Sequence, residues 1–338
     1  MAEKISAVIR ALEKVAPNSY QESYDNAGLL TGDVSRAVTG VLCSLDCIET
    51  VVDEAIEKSC NLIVAHHPIV FKGLKRITGK NYVERTIIKA IKNDIAIYAI
   101  HTNLDNVLHN GVNTKIGQRL GLKDLKILAP KRVSNIIQFE LNATQQEEVI
   151  NELTDKGYTP TLLNGHGEKL LFQLVVDQGR IGEVKRMIQR DDSNDSIDPV
   201  IYGISNQSNA VGSGMIGRLE EAISEHAFLE LLKNSMGAKV VRHTKLLNKA
   251  VQTVAFCGGA GSFLLKDALR KRADFFVTAD YKYHEFFDAD GKIVIADIGH
   301  FESEQFTIDL LHEIITKTFS SFAVYKTEHT TNPVSYYF

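Results

Sequence analysis

The sequence predicts a split α/β core with a mostly parallel sheet, interrupted by a small α+β insert. Three observations carry this. Short apolar, β-branched runs alternate with helical patterns through the first third of the 338 residues. The pattern changes around Ala129-Pro130-Lys131, and the first style returns from about Met215. A chain of this length has room for two domains and a large core.

The elements follow in order. Ile5, Val8, Ile9, Leu12 and Val15 have helical spacing, so residues 1–16 read as an amphipathic helix rather than a signal peptide. Residues 38–46 read as a buried strand, 49–60 as a helix, 61–68 as a strand, 85–94 as a helix, 95–100 as a strand and 111–122 as a helix. In the middle, 133–141, 169–176 and 199–204 read as strands, with helices at 144–156 and 182–189 and a polar stretch at 190–195. This β-α-β-α-β order fits a small ferredoxin-like insert. Residues 205–214 read as a mobile connection. Helices at 227–237 and 262–272 and strands at 251–259, 273–280 and 292–300 then complete the core. The expected division is 1–127 and 211–338 for the core and 128–210 for the insert.

Composition narrows the function. A net charge of -4 gives no global field that favours DNA or a membrane surface. No apolar run approaches the ~20 residues that span a bilayer, so a cytoplasmic protein is expected. Cys43, Cys47, Cys60 and Cys257 lie in or beside apolar runs and form no Cys-x-x-Cys pair, which fits buried free thiols rather than zinc ligands.

Ligands of open α/β sheets bind outside the carboxyl ends of the strands. In this chain those ends carry His66-His67, then His101 with Asp105 four residues on, then His300 with Glu304 four residues on, as well as Asp46 and Asp280. The fold is expected to bring them together on one edge of one sheet. Pro68 ends ladder donation, so the adjacent histidines can turn out of the sheet and serve different ions. If Glu304 begins the next helix, its carboxylate can bridge two ions. The histidine pair alone reads more readily as a surface pair, but with Asp105, His300 and Glu304 it makes a candidate metal-ligand set: His66, His67, Asp105, His300 and Glu304, three imidazoles and two carboxylates. Two divalent ions suit it, zinc first, with manganese, iron or nickel also compatible. Four positive charges against two carboxylates leave a net positive site, which suits an anionic substrate. His101 and His284 are the candidate proton carriers; His284 also reads as a phosphate contact or, on its own, as an ordinary helix histidine. The glycines of residues 257–262 read either as an anion-holding helix start or, more simply, as a packing turn. His109, His166, His226, His243, His312 and His329 read as structural or surface residues.

The segments SYDNAGLLTGD (23–33), LIVAHHPIVF (62–71), AIHTNLDNVLHNGVN (99–113), AFCGGAGSF (255–263), VTADYKYHEF (277–286) and ADIGHFESE (296–304) resemble a known family. It is the dinuclear-metal family of GTP cyclohydrolase 1 type 2 homologues, or Ngg-interacting-factor-like proteins. The segments span both halves of the core. The family's double histidine falls on His66 and His67, its Asp on Asp105, and its late His and Glu on His300 and Glu304. Tyr24 stands where the family often has Trp, and Ala279 where Gly is common. The resemblance implies a PII-like insert and a ring-shaped homohexamer with sites facing an internal cavity.

The reading favoured here is a dinuclear metal-dependent hydrolase acting on an anionic, nucleotide or phosphate-bearing small molecule through a metal-bound hydroxide. GTP cyclohydrolase chemistry is implied by the resemblance alone, because the sequence has no P-loop or guanine-reading motif. The alternative is a non-catalytic, metal-dependent ring scaffold or regulator that binds a protein or nucleic acid. Nucleic acid is the less favoured partner, since phosphate contacts need positive charge.

Overall fold

Ile5, Val8, Ile9 and Leu12 fall on one side of a 3.6-residue helix, and all four are buried in α1 (Ile5–Val15). The computed structural model describes residues 2–142, 144, 146–166, 169–189 and 198–337; the polar stretch at 190–195 lies outside them. They fall into two compact units, Met1–Ala129 with Asn209–Phe338, and Pro130–Ser208.

The first unit opens with α1 and continues through β1 (Gly28–Thr31), β2 (Gly40–Ser44), α2 (Glu49–Glu57), β3 (Leu62–Ala65), α3 (Tyr82–Lys92) and β4 (Ala96–Ala99). The short α4 (Thr102–Asp105), then α5 (Val112–Arg119) and β5 (Lys123–Pro130), follow. The second unit holds β6 (Ser134–Asn142), α6 (Gln146–Asp155), β7 (Thr161–His166), β8 (Lys169–Asp177), α7 (Ile181–Ile188) and β9 (Val200–Gly203). The first unit resumes with β10 (Gly212–Ser224), α8 (Glu225–Met236), β11 (Arg242–His243), β12 (Ala250–Ala260), α9 (Leu265–Arg270), β13 (Phe275–Ala279) and β14 (Val294–Asp297). It closes with α10 (His300–Glu304), α11 (Thr307–Thr318) and β15 (Ala323–Lys326).

The core of the first unit has two sheets where one was expected. One has the order β1-β4-β3-β2-β15, and the other β11-β14-β13-β12-β10-β5. β4, β3, β2 and β15 pair in parallel, as do β12, β13 and β14; β1, β10 and β11 pair antiparallel. The mostly parallel α/β class therefore holds, but the strand ends belong to two sheets. Hydrophobic periodicity identifies buried strands without saying which of them pair, so two parallel sheets and one read alike.

Every residue of β2, β3, β4, β13 and β14 is buried, as expected for strands covered on both faces. Alternate residues sort into different layers. Val41, Val64 and Tyr98 of the first sheet share a core with Val254, Phe256, Phe275 and Val277 of the second, filled by α1, α5, α8 and α11. Leu42, Ile63 and Ile97 point the other way, onto α2 and α3. Ala255, Phe276 and Ile295 pack on α9. Ser224 caps α8 through Oγ, which accepts from the amide of Ala227 at 3.2 Å, and Gly237 ends that helix at φ +65.

In the second unit, Ile137, Phe139 and Leu141 of β6 and Phe172, Leu174 and Val176 of β8 face Val149 and Leu153 of α6 and Val184 and Met187 of α7. The strand order is β7-β8-β6-β9. β7 was not foreseen, because Thr161–His166 lacks a clean alternation of apolar and polar residues. The element order is therefore β-α-β-β-α-β. The expected mobile connection is tied back within the first unit, where Leu108 N donates to Ala210 O and Gly212 N to Asn106 O. The expected 262–272 helix is a 3₁₀ turn at Ser262–Leu264 followed by α9.

Candidate metal centre

Each proposed ligand sits where a parallel strand ends. The ladder does not stop at β3: His66 N donates to Ser44 O and His67 N to Leu45 O. A regular strand alternates its amide directions, so two successive amides turned to one neighbour mark a twist. That twist, rather than release by Pro68, lets adjacent imidazoles converge, with ring centroids 4.8 Å apart.

After β4, the polar side chains of the His-Thr-Asn-Leu-Asp-Asn run fix α4. Asn103 Nδ2 donates to Ala16 O at 2.7 Å, Asn106 Nδ2 to Tyr20 O at 2.8 Å, and Thr102 Oγ1 to Asp25. Asp105 is thereby aimed inward. His300 and Glu304 are the first and last residues of α10, four apart and so on one face. Glu304 thus ends this short helix rather than beginning the next. Asp297 holds the turn from β14 into α10, accepting from Gly299 N at 3.0 Å and Tyr281 N at 2.9 Å, and pairing with Arg242.

The ligand atoms form overlapping groups within 4.8 Å: His66-Asp105-Glu304, His67-His300-Glu304 and His66-His67-His101. Glu304 is nearly fully buried, and its two oxygens are divided. Oε2 lies 2.9 Å from His67 Nε2 and 3.0 Å from His300 Nε2, and Oε1 lies 3.9 Å from His66 Nε2. His66 Nε2 also lies 3.6 Å from Asp105 Oδ1, too far for a hydrogen bond. Both atoms are buried without a hydrogen-bond partner. Orphaned buried polar atoms are costly, and a lone pair facing a carboxylate across such a gap suits a cation.

Behind the rings lies a second set of contacts. Nδ1 of His66 meets Ile100 O at 2.8 Å, that of His67 meets Asp46 at 2.8 Å, that of His101 meets Asp25 at 2.7 Å and that of His300 meets Asp280 at 2.7 Å. In the neutral ring this keeps the proton on Nδ1 and leaves the Nε2 lone pair for a ligand. Asp46 in turn accepts from the buried hydroxyl of Thr331 at 2.6 Å. Thr331→Val is expected to weaken divalent-ion binding about 10- to 100-fold, and Thr331→Ser to restore it. Competition with a chelating dye checks this; equal affinity for wild type and Thr331→Val would rule out the orienting role.

Without metal the site is a tight charge cluster. Burial alone would lower the His67 imidazole, but hydrogen bonds to Asp46 and Glu304 outweigh it and raise it to about 9. His300 likewise resists burial and rises to about 11 beside Glu304 and Asp280. Burial pushes Asp105 up to about 7, with the charge of Glu304 adding to it. Burial would also raise Glu304, yet His300 and its neighbours hold it well below the usual range. Against its own burial, Asp25 is held near 2 by His101 and Thr102.

The glycines before α9 make room rather than hold an anion. The Gly258 amide donates to Asn113 Oδ1 at 3.0 Å and that of Gly259 to Ser303 Oγ at 2.9 Å. A Cβ on Gly259 would sit 2.5 Å from Glu304 Oε1.

The Duf34/NIF3 (NGG1p interacting factor 3) family model matches residues 3–333. The chain belongs to this family. Curated Duf34/NIF3 relatives named GTP cyclohydrolase 1 type 2 homolog include one from Halalkalibacterium halodurans, 32% identical over 326 residues, with 87% of each chain covered. Another, from Staphylococcus epidermidis, is 30% identical over 368 residues, covering 98% of this chain and 100% of the relative. A solved Bacillus cereus protein related to NIF3 superposes with a TM-score of 0.80 at 28% identity over all of both chains.

Of the residues singled out in this Duf34/NIF3 sequence, the structure gathers His66, His67, His101, Asp105, His300 and Glu304. His284 stands outside the cluster. It is exposed in a 3₁₀ turn, its ring near those of Tyr283 and Phe287. Asp25 and Thr331 were missed, because each reaches its partner across long sequence separations that no local pattern marks. Asp46 and Asp280 were noticed at strand ends, but not as supports for histidines.

Proposed function

We propose that this chain is a hydrolase that works with two divalent metal ions on an anionic substrate, a nucleotide or another phosphate-bearing molecule. The observation that carries the reading is the division of the Glu304 carboxylate between two ligand sets. On this reading His66 and Asp105 would hold one ion, His67 and His300 would hold the other, and Glu304 would contribute to both. Zinc suits these donors first, with manganese, iron and nickel also compatible. Two such ions supply Lewis acidity, lowering the pKa of water and stabilising negative charge on the attacked group. His101 is braced by Asp25, with its ring centroid 5.3 Å from that of His66 and 5.4 Å from that of His67. On this reading it would move a proton there. His284, outside the ligand cluster, is not assigned the proton transfer. The relatives' name makes GTP the first substrate to test. The PII-like reading of residues 128–210 and a homohexamer remain part of the proposal.

The test is turnover of a nucleotide and phosphoester panel by metal-loaded protein and by Asp105→Ala. Turnover that falls more than about 100-fold in the variant is expected. Absence of turnover, or turnover untouched by the substitution, overturns the hydrolase; oligonucleotide or protein binding without turnover would put the scaffold in its place. Light scattering that finds a monomer would remove the hexamer.

The pH dependence should reverse with metal. In the metal-free protein His67 and His300 are raised above the unfolded value of about 6.5. Their stabilisation is therefore full below that value and lost as pH rises through about 9 for His67 and about 11 for His300. The raised carboxyl of Asp105 works in the same direction between its unfolded value and about 7. Metal binding must displace these protons, so the metal-loaded form should gain stability with rising pH. Thermal melts of both forms between about pH 6 and 9 check this; parallel trends would contradict it.

A further inference from the structure

Asp25, Asp46 and Asp280 stand behind the histidines, and Asp105 and Glu304 among them. Two divalent ions bring +4 and these five carboxylates -5, so the net positive site expected from Asp105 and Glu304 alone is not what the structure provides. An anionic substrate needs positive charge from elsewhere.

The segment that follows the histidine pair supplies it. Between Phe71 and Tyr82 lie Lys72, Lys75, Arg76 and Lys80 and no acidic residue, in a chain of net charge -4. All four cations are exposed, and among the described residues none makes an ion pair. Arg85 and Lys89 on the next helix, by contrast, are paired to Glu49 and Asp53. The segment is also held in shape. The buried Glu84 carboxylate accepts from Thr78 N at 2.8 Å, Lys80 N at 3.1 Å and Asn81 Nδ2 at 3.0 Å.

Its two ends are exposed aromatics, Phe71 at 45% and Tyr82 at 56%. Both line a cavity of about 710 Å³ that also contains His67 and Asp46, while none of the four cations does. The Phe71 ring centroid lies 6.2 Å from that of His101 and 6.4 Å from that of Tyr24. Exposed rings beside unpaired cations are how proteins hold nucleotides without reading the base, since every base has a π-face and every phosphate a charge.

We infer that segment 71–82 is the nucleotide-binding side of this site: the base stacks on Phe71 beside His101, and Lys72, Lys75, Arg76 and Lys80 neutralise the phosphates farther out. This rests on the reading of the ligand cluster as a metal-dependent centre and adds an orientation, with the base rather than the phosphate nearest the cluster. A free nucleotide and the end of a single strand offer the same chemistry.

Equilibrium binding on the intact protein tests it, with metal content measured on the same samples. The probes are ATP, GTP, adenosine, inorganic triphosphate and oligo-dT, at about 50 mM and about 200 mM salt. Replacing all four cations by Ala should weaken ATP, GTP and triphosphate at least about 100-fold at the lower salt and flatten the salt dependence. The milder Lys72→Ala/Lys75→Ala pair should cost about tenfold. Phe71→Leu should weaken ATP, GTP and adenosine about tenfold and leave inorganic triphosphate unchanged. All variants should keep the wild-type metal content. Tighter binding of oligo-dT than of ATP identifies the strand end as the source, and the reverse a free nucleotide. Wild-type protein that binds none of the nucleotides at the lower salt, or a four-cation variant that binds them like wild type, overturns the inference. If nucleotides bind in this pattern to protein that takes up no metal, the metal reading fails and the nucleotide site stands.

Discussion

Glu304→Ala is expected to leave the protein without bound divalent metal. Glu304 is the one carboxylate common to both candidate ligand sets, so under the proposed two-ion centre its loss would remove a ligand from each ion at once. Glu304→Gln should do nearly the same, because it keeps the volume and loses the charge that offsets the ions. His67 Nε2 and His300 Nε2 lie 3.3 Å apart, and Glu304, with Asp46 behind His67 and Asp280 behind His300, allows both rings to be charged there. Without it only Asp46 and Asp280 still favour the charged rings, so the metal-free variant should fold and show a smaller alkaline fall in stability, shifted to lower pH. Elemental analysis and melts in chelator read both effects. A Glu304→Ala protein that retains two equivalents of metal would exclude this residue as the shared ligand.

Gly259→Val should damage the site directly, although Gly259 is not itself a ligand. Gly259 adopts φ +61, which a β-branched side chain tolerates poorly, at a cost of about 1–3 kcal/mol. The new Cβ would meet Glu304 Oε1 at 2.5 Å and His300 Nε2 at 3.3 Å. Relief requires movement of the ligands themselves, so stability and metal should fall together. Gly258→Ala is the control. Its Cβ would lie 3.1 Å or more from Val112, Ile116 and Glu304 side-chain carbons that can yield a little. A Gly259→Val protein with wild-type metal content and melting temperature would contradict the tight fit of this strand against the site.

The ligands were legible because each stands next to a strand that local pattern reveals. Leu62–Ala65 and Val294–Asp297 are short apolar runs, and the first polar groups beyond them mark the carboxyl ends. Pairing was not legible. β12 and β13 carry buried apolar runs just as β2 and β3 do, and nothing local assigns them to a different sheet. The supports of the histidines were hidden for a related reason. Asp25 and Thr331 sit in irregular segments and meet His101 and Asp46 only after folding. The charge balance counted only Asp105 and Glu304, because Asp25 was hidden and Asp46 and Asp280, though visible at strand ends, were not tied to the histidines they support. The cations of segment 72–80 were visible throughout, but their meaning depended on Phe71 and Tyr82 lining a cavity with His67.

The most direct measurement is elemental analysis of the purified protein combined with anomalous diffraction at the metal edge. Two ions per chain, one against His66 and Asp105 and the other against His67 and His300, with Glu304 between them, is the expected result. A single ion, or two that leave Glu304 unengaged, would contradict a centre shared across that carboxylate.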